Sequence, residues 1–168
     1  MSDRPLTTLH AFAWPGYFAA LLLVAFPLGD LVTNVWPLQL GNVQWRYGGL
    51  GLLSGFFLTP VLGMLLAVGV AILLEHRVVL RGLSLANLLG GVLLAGSVVL
   101  FGLDWLQMRP TMSDEARRAM DIGSLKALVK FAAAALLVGW MGVVGFRASR
   151  RRSQRAPGKL VREPPPAA

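Results

Sequence analysis

The sequence predicts an all-α membrane protein: an antiparallel bundle of four transmembrane helices followed by a disordered, basic C-terminal tail. Of its 168 residues, 55% are hydrophobic and only 14% are charged, whereas a soluble domain carries about 25% charged residues. The apolar residues also come in long uninterrupted runs, and a membrane-spanning helix needs roughly 20 such residues to cross about 30 Å of hydrocarbon. Composition and run length together favour a membrane protein over a water-soluble globule.

Four runs meet this requirement, and a charged residue lies close to the end of each. The predicted spans cover residues 11–28, 47–74, 82–103 and 127–146, and they form a transmembrane domain over residues 11–146. The first run is longer than the apolar part of a signal peptide, and no small-residue cleavage site follows it, so we expect an uncleaved helix. Pro60 lies inside the second span and predicts a kink there, because proline removes one helical hydrogen bond.

The connecting segments follow from these spans. Residues 1–10 form the N-terminal segment, residues 29–46 and 104–126 form two loops on one side of the membrane, and residues 75–81 form a short loop on the other. In the second long loop, Ser113 followed by Asp114 predicts a short helix from about Asp114 to Asp121, which either lies along the membrane surface or leads into the fourth span.

The distribution of basic residues predicts the orientation. The N-terminus, the 75–81 loop and the tail hold ten Lys and Arg residues, whereas the opposite side holds six. Since basic residues are retained on the cytoplasmic side, both termini are predicted to be cytoplasmic. Thirteen of the 16 basic residues are arginine, a usage typical of GC-rich bacterial genomes, which favours a bacterial inner membrane.

The most distinctive polar segment runs from Trp36 to Tyr47 at the predicted outer face. The candidate interaction patch consists of Trp36, Asn42, Trp45 and Arg46, together with Asp30 and Asp104, which end the first and third spans on the same side. Either carboxylate could pair with Arg46. Two interpretations stay open: aromatic anchoring at the membrane interface with a helix-start turn, or recognition of a periplasmic partner or a glycan-like ligand.

Within this segment, Pro37, Gly41-Asn42 and Trp45 resemble the Pro…Gly-Asn…Trp segment that precedes a helix in small cyanobacterial membrane proteins associated with polysaccharide secretion. The resemblance is confined to residues 37–45, and it transfers no functional residue to this chain.

Small residues recur at helical spacing within the spans. The predicted packing glycines are Gly51 and Gly55 in the second span, Gly90 and Gly91 in the third, and Gly139 in the fourth. Because lipid is as apolar as leucine, membrane helices associate by close backbone approach, which small side chains permit. Either the bundle uses these faces internally, or one of them docks a partner subunit.

The C-terminal segment has a different composition from the spans. Residues 147–168 are rich in Arg, Ser, Gln and Pro and lack the apolar content of a packed segment, so we expect a disordered cytoplasmic tail. Five arginines follow the last span and are predicted to contact anionic lipid headgroups, with a purely topogenic role as the alternative: Arg147, Arg150, Arg151, Arg152 and Arg155. No aromatic residue is interleaved with them to stack on bases, so no nucleic-acid partner is expected.

The residue types limit the chemistry. The chain has no cysteine, which excludes disulfides, thiolate nucleophiles and cysteine-ligated zinc. Its two histidines, His10 and His76, lack the convergent ligands that a metal would need, and no ionisable residue lies near the middle of a span. We therefore expect no metal, no cofactor and no catalytic residues.

The predicted function is that of a non-enzymatic accessory or scaffold subunit of a bacterial inner-membrane complex. Its expected partners are the lipid bilayer and another membrane subunit or a second copy of the chain. A small oligomeric transporter or channel is the alternative, and its polar pathway would depend on Ser54, Thr59, Asn87 and Ser97. An enzyme acting on lipid or isoprenoid substrates comes third, since only Asp30, Arg46 and Asp104 would serve it.

Overall fold

The computed structural model describes residues 11–153, and these residues are almost wholly helical. The five helices are α1 (Ala13–Val35), α2 (Val43–Phe56), α3 (Leu58–Leu73), α4 (Arg77–Met108) and α5 (Asp114–Ser153), with a short 3₁₀ turn, Arg109–Thr111, between α4 and α5. The described part of the chain contains no strand, which confirms the all-helical class. Three helices, α1, α4 and α5, are long and apolar enough to cross a membrane, and there are four candidate spans if α2 and α3 are one broken span.

The α2–α3 pair is bent by 48° at a break at Phe57. The kink predicted from Pro60 is thus confirmed, and its cause is local. Pro60 is the third residue of α3; it has no N–H to offer the carbonyl of Phe56, and its ring crowds that carbonyl. Backbone bonds continue on both sides of the break, since the Phe57 N–H donates to Leu53 O at 3.2 Å and the Val61 N–H donates to Phe57 O at 3.0 Å.

Despite the bend, the α2–α3 pair runs along nearly the whole of α4. Arg46, in the first turn of α2, bonds to Asp104 near the end of α4, while Ala71, near the end of α3, packs in one cluster with Leu80 near the start of α4. Leu80 and Asp104 are 24 residues apart, which corresponds to about 36 Å of helix. The pair is therefore antiparallel to α4 and does not turn back halfway.

Two helix pairings dominate the packing. The most extensive contact joins α4 to α5 along their lengths, and the next joins α1 to α3. The larger apolar cluster lies where α3, α4 and α5 meet, around Phe57, Phe101 and Phe131, whose rings lie 5.4 to 6.0 Å apart. Separations of this kind are typical of favourable aromatic pairs.

The first predicted boundary is wrong at its C-terminal end. Helix α1 continues seven residues past Leu28 to Val35, so the connection to α2 is residues 36–42 rather than 29–46. Gly29 and Asp30 do not end the helix. It ends because Pro37 disfavours the helical conformation for the residue before it, and Trp36 is accordingly extended, with φ −78° and ψ 139°.

The last helix begins where the short helix was predicted, leads directly into the fourth predicted span, and continues beyond that span's predicted end. The predicted short helix from Asp114 to Asp121 is continuous with the fourth span in one helix of 40 residues. At the other end α5 continues to Ser153, so the prediction of disorder from residue 147 is wrong for residues 147–153, where arginine is a good helix former. The rest of the predicted tail lies outside the described residues, as do residues 1–10.

Candidate functional site

An ion pair between Arg46 and Asp104 lies at the end of the bundle where α2 begins and α4 ends. The guanidinium donates from Nη2 to Asp104 Oδ1 at 2.7 Å and from Nε to Oδ2 at 3.1 Å. Its Nη1 donates to the carbonyl of Leu40 at 2.8 Å. The Asp104 side chain is only 3% exposed and that of Arg46 is 28% exposed, so this is a largely buried, two-pronged pair of the stronger kind.

The local sequence places Arg46 for this contact. The side-chain Oδ1 of Asn42 accepts a hydrogen bond from the Trp45 N–H at 3.2 Å, which caps the start of α2. Asn42 N–H donates to Gln39 O at 2.9 Å, so a turn precedes the cap. The helix-start turn that the sequence predicts is therefore present, and it sets Arg46 one turn into α2.

The structure divides the predicted interaction patch. Asn42, Trp45, Arg46 and Asp104 are joined by the cap and the ion pair. Asp30 lies exposed on α1, where no hydrogen bond or ion pair of its carboxylate to residues 11–153 occurs, and Trp36 is 69% exposed. Of the two carboxylates considered as partners of Arg46, Asp104 is the one that binds it.

Two further contacts attach α5 to the same end. The hydroxyls of Tyr47 and Ser124 lie 2.7 Å apart, and the ring of Tyr47 stacks on Phe101 with centroids 4.9 Å apart. Ser124 is fully buried. This bond connects the first turn of α2 to α5 beside the Arg46–Asp104 pair.

Asp121 provides the second carboxylate of this region. Its Oδ1 accepts from Trp105 Nε1 at 2.9 Å and its Oδ2 from Arg109 Nη2 at 3.0 Å. The sequence analysis did not select Asp121 or Ser124. Their spacing of three residues, which places both on one side of a helix, was the available signal.

Together these bonds form what we call the polar clasp, defined by Arg46, Tyr47, Asp104, Trp105, Asp121 and Ser124. Both of its carboxylates have a cationic partner, Arg46 for Asp104 and the neighbouring Arg109 for Asp121. The bonds of the clasp connect α2, α4 and α5. Among residues 11–153, no three His, Asp or Glu side chains lie close enough together to hold a metal ion. The arrangement is suited to holding three helices in register.

Some of the predicted packing glycines lie close to a neighbouring helix, and others have open space around them. A Cβ on Gly91 would lie 3.1 Å from the backbone of Gly139, and one on Gly90 would lie 3.5 Å from Val138, so these two glycines lie where α4 closely approaches α5. The prediction for Gly51 and Gly55 is wrong within this chain, because a Cβ at either position would meet nothing within 4 Å.

The rotation of α2 explains the open glycines. Tyr47, Leu50 and Leu53 of this helix pack against the larger apolar cluster, and Arg46 faces Asp104. With these residues directed inward, Gly51 and Gly55 come to lie where a Cβ would meet no atom of another helix within 4 Å.

At the opposite end of the bundle, polar side chains bond mainly within their own helix. Ser84 Oγ donates to Leu80 O at 2.6 Å, and Asn87 Nδ2 donates to Leu83 O at 2.9 Å. Asn87 does not connect two helices: among residues 11–153 this is its one side-chain bond, and its buried Oδ1 has no hydrogen-bond partner. Tyr17 connects α1 to this end through its hydroxyl, 3.1 Å from His76 Nδ1.

The predicted lipid-contacting arginines lie at the end of α5. Arg147 and Arg150 are exposed, and the Arg150 guanidinium lies 4.7 Å from the centre of the Phe146 ring. Arg151 and Arg152 belong to the last turn of α5, and Arg155 lies outside the described residues.

Comparison of the chain with models of known protein families, with curated proteins and with solved structures gave no match.

Proposed function

We propose that this chain is a non-enzymatic scaffold or accessory subunit of a bacterial inner-membrane complex, built as a bundle of four transmembrane helices with both termini in the cytoplasm. The α2–α3 pair supports four spans, because its two ends contact opposite ends of α4. The excess of basic residues in the N-terminus, the 75–81 loop and the tail supports the orientation.

The observation that carries the proposal is the open glycine face of α2, formed by Gly48, Gly51 and Gly55. None of the three would bring a Cβ within 4 Å of another atom, whereas Gly91 and Gly142 are used for tight contact between α4 and α5. In a membrane, small residues permit close helix approach. This face is therefore suited to a helix from another subunit or from a second copy.

The polar clasp supports the same function in a different way. Arg46 and Asp104 pair with each other, and Asp121 is held by Trp105 and Arg109. Charged groups engaged in this manner hold α2 in a fixed rotation, and that rotation presents its glycine face outward. A rigid frame that presents an open, small-residue helix face suits a scaffold subunit.

The experiment is affinity purification of the detergent-solubilised full chain, with mass spectrometry to identify partners and light scattering to measure the oligomeric mass. We expect a co-purifying subunit or a second copy, which the Gly51→Leu variant loses. Gly96→Leu, at a glycine of α4 where a Cβ likewise meets nothing within 4 Å, is the control and retains it. A partnerless monomer, or equal retention by both variants, would contradict the proposal.

A small oligomeric transporter or channel is the second candidate, and the break at Phe57 favours it, because discontinuous helices line the binding sites of many transporters. In this chain, however, Phe57 is itself buried against Phe131, so the break is filled by aromatic rings. Potassium flux into proteoliposomes above that of protein-free vesicles would support this candidate over the scaffold.

A further inference from the structure

A groove lies beside the helix break, between the α2–α3 pair and α5. It has a volume of about 280 Å³ and opens on one side. Apolar or small groups form most of its walls, among them Phe57, Val61, Ala133 and Leu137. Lys130 is the charged residue in its lining.

The charge around the groove is uncompensated. Lys130 is exposed, and so is Lys126, one helical turn nearer the polar clasp on the same side of α5. Neither lysine forms an ion pair with a carboxylate of residues 11–153. The nearby carboxylates Asp104 and Asp121 are already paired with Arg46 and Arg109, so two ammonium groups remain available at one end of an apolar slot.

We propose that this groove binds one acyl chain of an anionic phospholipid, with the lipid phosphate held by Lys130 and Lys126. The apolar walls suit a hydrocarbon chain, and the two lysines suit a negatively charged headgroup at the end of the bundle where α5 leaves its apolar run. Long lysine side chains near a helix end reach toward the headgroups in this manner.

The inference goes beyond the scaffold function and does not depend on it. Gly55 also lines the groove, and for this reason the partner test above uses Gly51, which does not.

The test uses the full chain in nanodiscs of phosphatidylcholine with and without phosphatidylglycerol, followed by native mass spectrometry of the lipid retained on the protein. Lys130→Gln removes one phosphate contact, and Arg118→Gln removes an exposed charge of the same helix outside the groove. Ala133→Trp fills the groove, and Ala132→Trp adds the same bulk at the exposed neighbour that does not line it.

We expect the wild-type chain to retain one phosphatidylglycerol molecule in preference to phosphatidylcholine. Lys130→Gln should reduce this retention about fivefold, and Ala133→Trp should abolish it, while Arg118→Gln and Ala132→Trp behave as wild type. Because all four positions are exposed, the melting temperatures should stay the same.

Three results would overturn the inference. The first is equal retention of phosphatidylcholine, and the second is equal phosphatidylglycerol retention by the groove variants and their controls. The third is a co-purifying acidic protein that Lys130→Gln loses while lipid retention is unchanged, which would assign the groove to a protein partner.

Discussion

The backbone of Gly139 lies 3.1 Å from the position that a Cβ on Gly91 would occupy, whereas a Cβ on Gly139 itself would meet nothing within 4 Å. The two glycines of one helix contact therefore have different roles. Gly91 is required because its α-hydrogens face the backbone of α5, and Gly139 provides that backbone surface while its own missing side chain points elsewhere.

This asymmetry predicts opposite effects for two alanine substitutions. Gly91→Ala should lower the melting temperature in detergent, because a methyl group at 3.1 Å from backbone atoms forces α4 and α5 apart. Gly139→Ala should leave it unchanged or raise the stability by up to about 1 kcal/mol, the difference in helix propensity between the two residues. Equal destabilisation by the two variants would contradict the asymmetric contact.

Gly63, where α3 packs against α1, allows a test of the contact between these two helices. A Cβ on Gly63 would lie 2.8 Å from Ala20 O and 2.9 Å from Leu23 Cβ, so Gly63→Ala should cost about 1–3 kcal/mol of stability by overpacking. Gly69→Ala, on the same helix with open space around it, is the control. Thermal unfolding in detergent should separate the two, and a Gly63→Ala variant as stable as Gly69→Ala would show that α1 does not pack closely there.

The Arg46–Asp104 pair should be strongly coupled. Arg46→Gln leaves the buried Asp104 carboxylate unpaired and should cost about 3 kcal/mol, whereas Asp104→Asn leaves a guanidinium that is 28% exposed and should cost less. The double variant should cost clearly less than the two single variants together. Arg109→Gln is the comparison, because its pair with Asp121 is half exposed and should contribute less than about 1 kcal/mol. Additive losses at residues 46 and 104 would mean that the two side chains act independently.

The sequence predicted those features of the fold that depend on local composition. The apolar runs indicated which segments are long enough to span a membrane, and Pro60 indicated the bend. The ends of the helices were less predictable, since Asp30 and the arginines from Arg147 onward are polar but compatible with helix. Only a strong local signal, such as Pro37 after Trp36, ends a helix regardless of the solvent around it.

The site was less predictable because it depends on how each helix is rotated. Both Asp30 and Asp104 were reasonable partners for Arg46, and the choice follows from the pairing of α2 with α4, which no local pattern specifies. Likewise Gly51 and Gly91 belong to similar small-residue motifs, yet only Gly91 meets a neighbouring helix. The spacing of small residues indicates that two helices could approach each other closely. Whether they do depends on how each helix is rotated, which is set by the side chains that it buries in the core.

The topology is open to a direct test because the chain has no cysteine. A cysteine at Gln39, in the exposed 36–42 connection, should react with a membrane-impermeant maleimide added to intact cells. A cysteine appended after Ala168 should react only after the membrane is permeabilised, because the excess of basic residues predicts a cytoplasmic tail. Labelling of the C-terminal cysteine in intact cells would contradict the predicted orientation and place the C-terminus outside the cytoplasm.

The final prediction concerns the arginines at the end of α5. Because α5 continues to Ser153, Arg147, Arg150, Arg151 and Arg152 belong to the helical end of the fourth predicted span. Each arginine near an anionic surface contributes about 1 kcal/mol of attraction, and this attraction fades beyond about 10 Å at 0.1 M salt. A spin label on Ser153→Cys should therefore be less mobile in nanodiscs containing phosphatidylglycerol than in phosphatidylcholine alone, and high salt should remove the difference. Replacing Arg150 and Arg151 with glutamine should reduce this difference in label mobility between the two lipids. If the label moves equally freely in both lipids at low and high salt, these arginines act only as a topology signal.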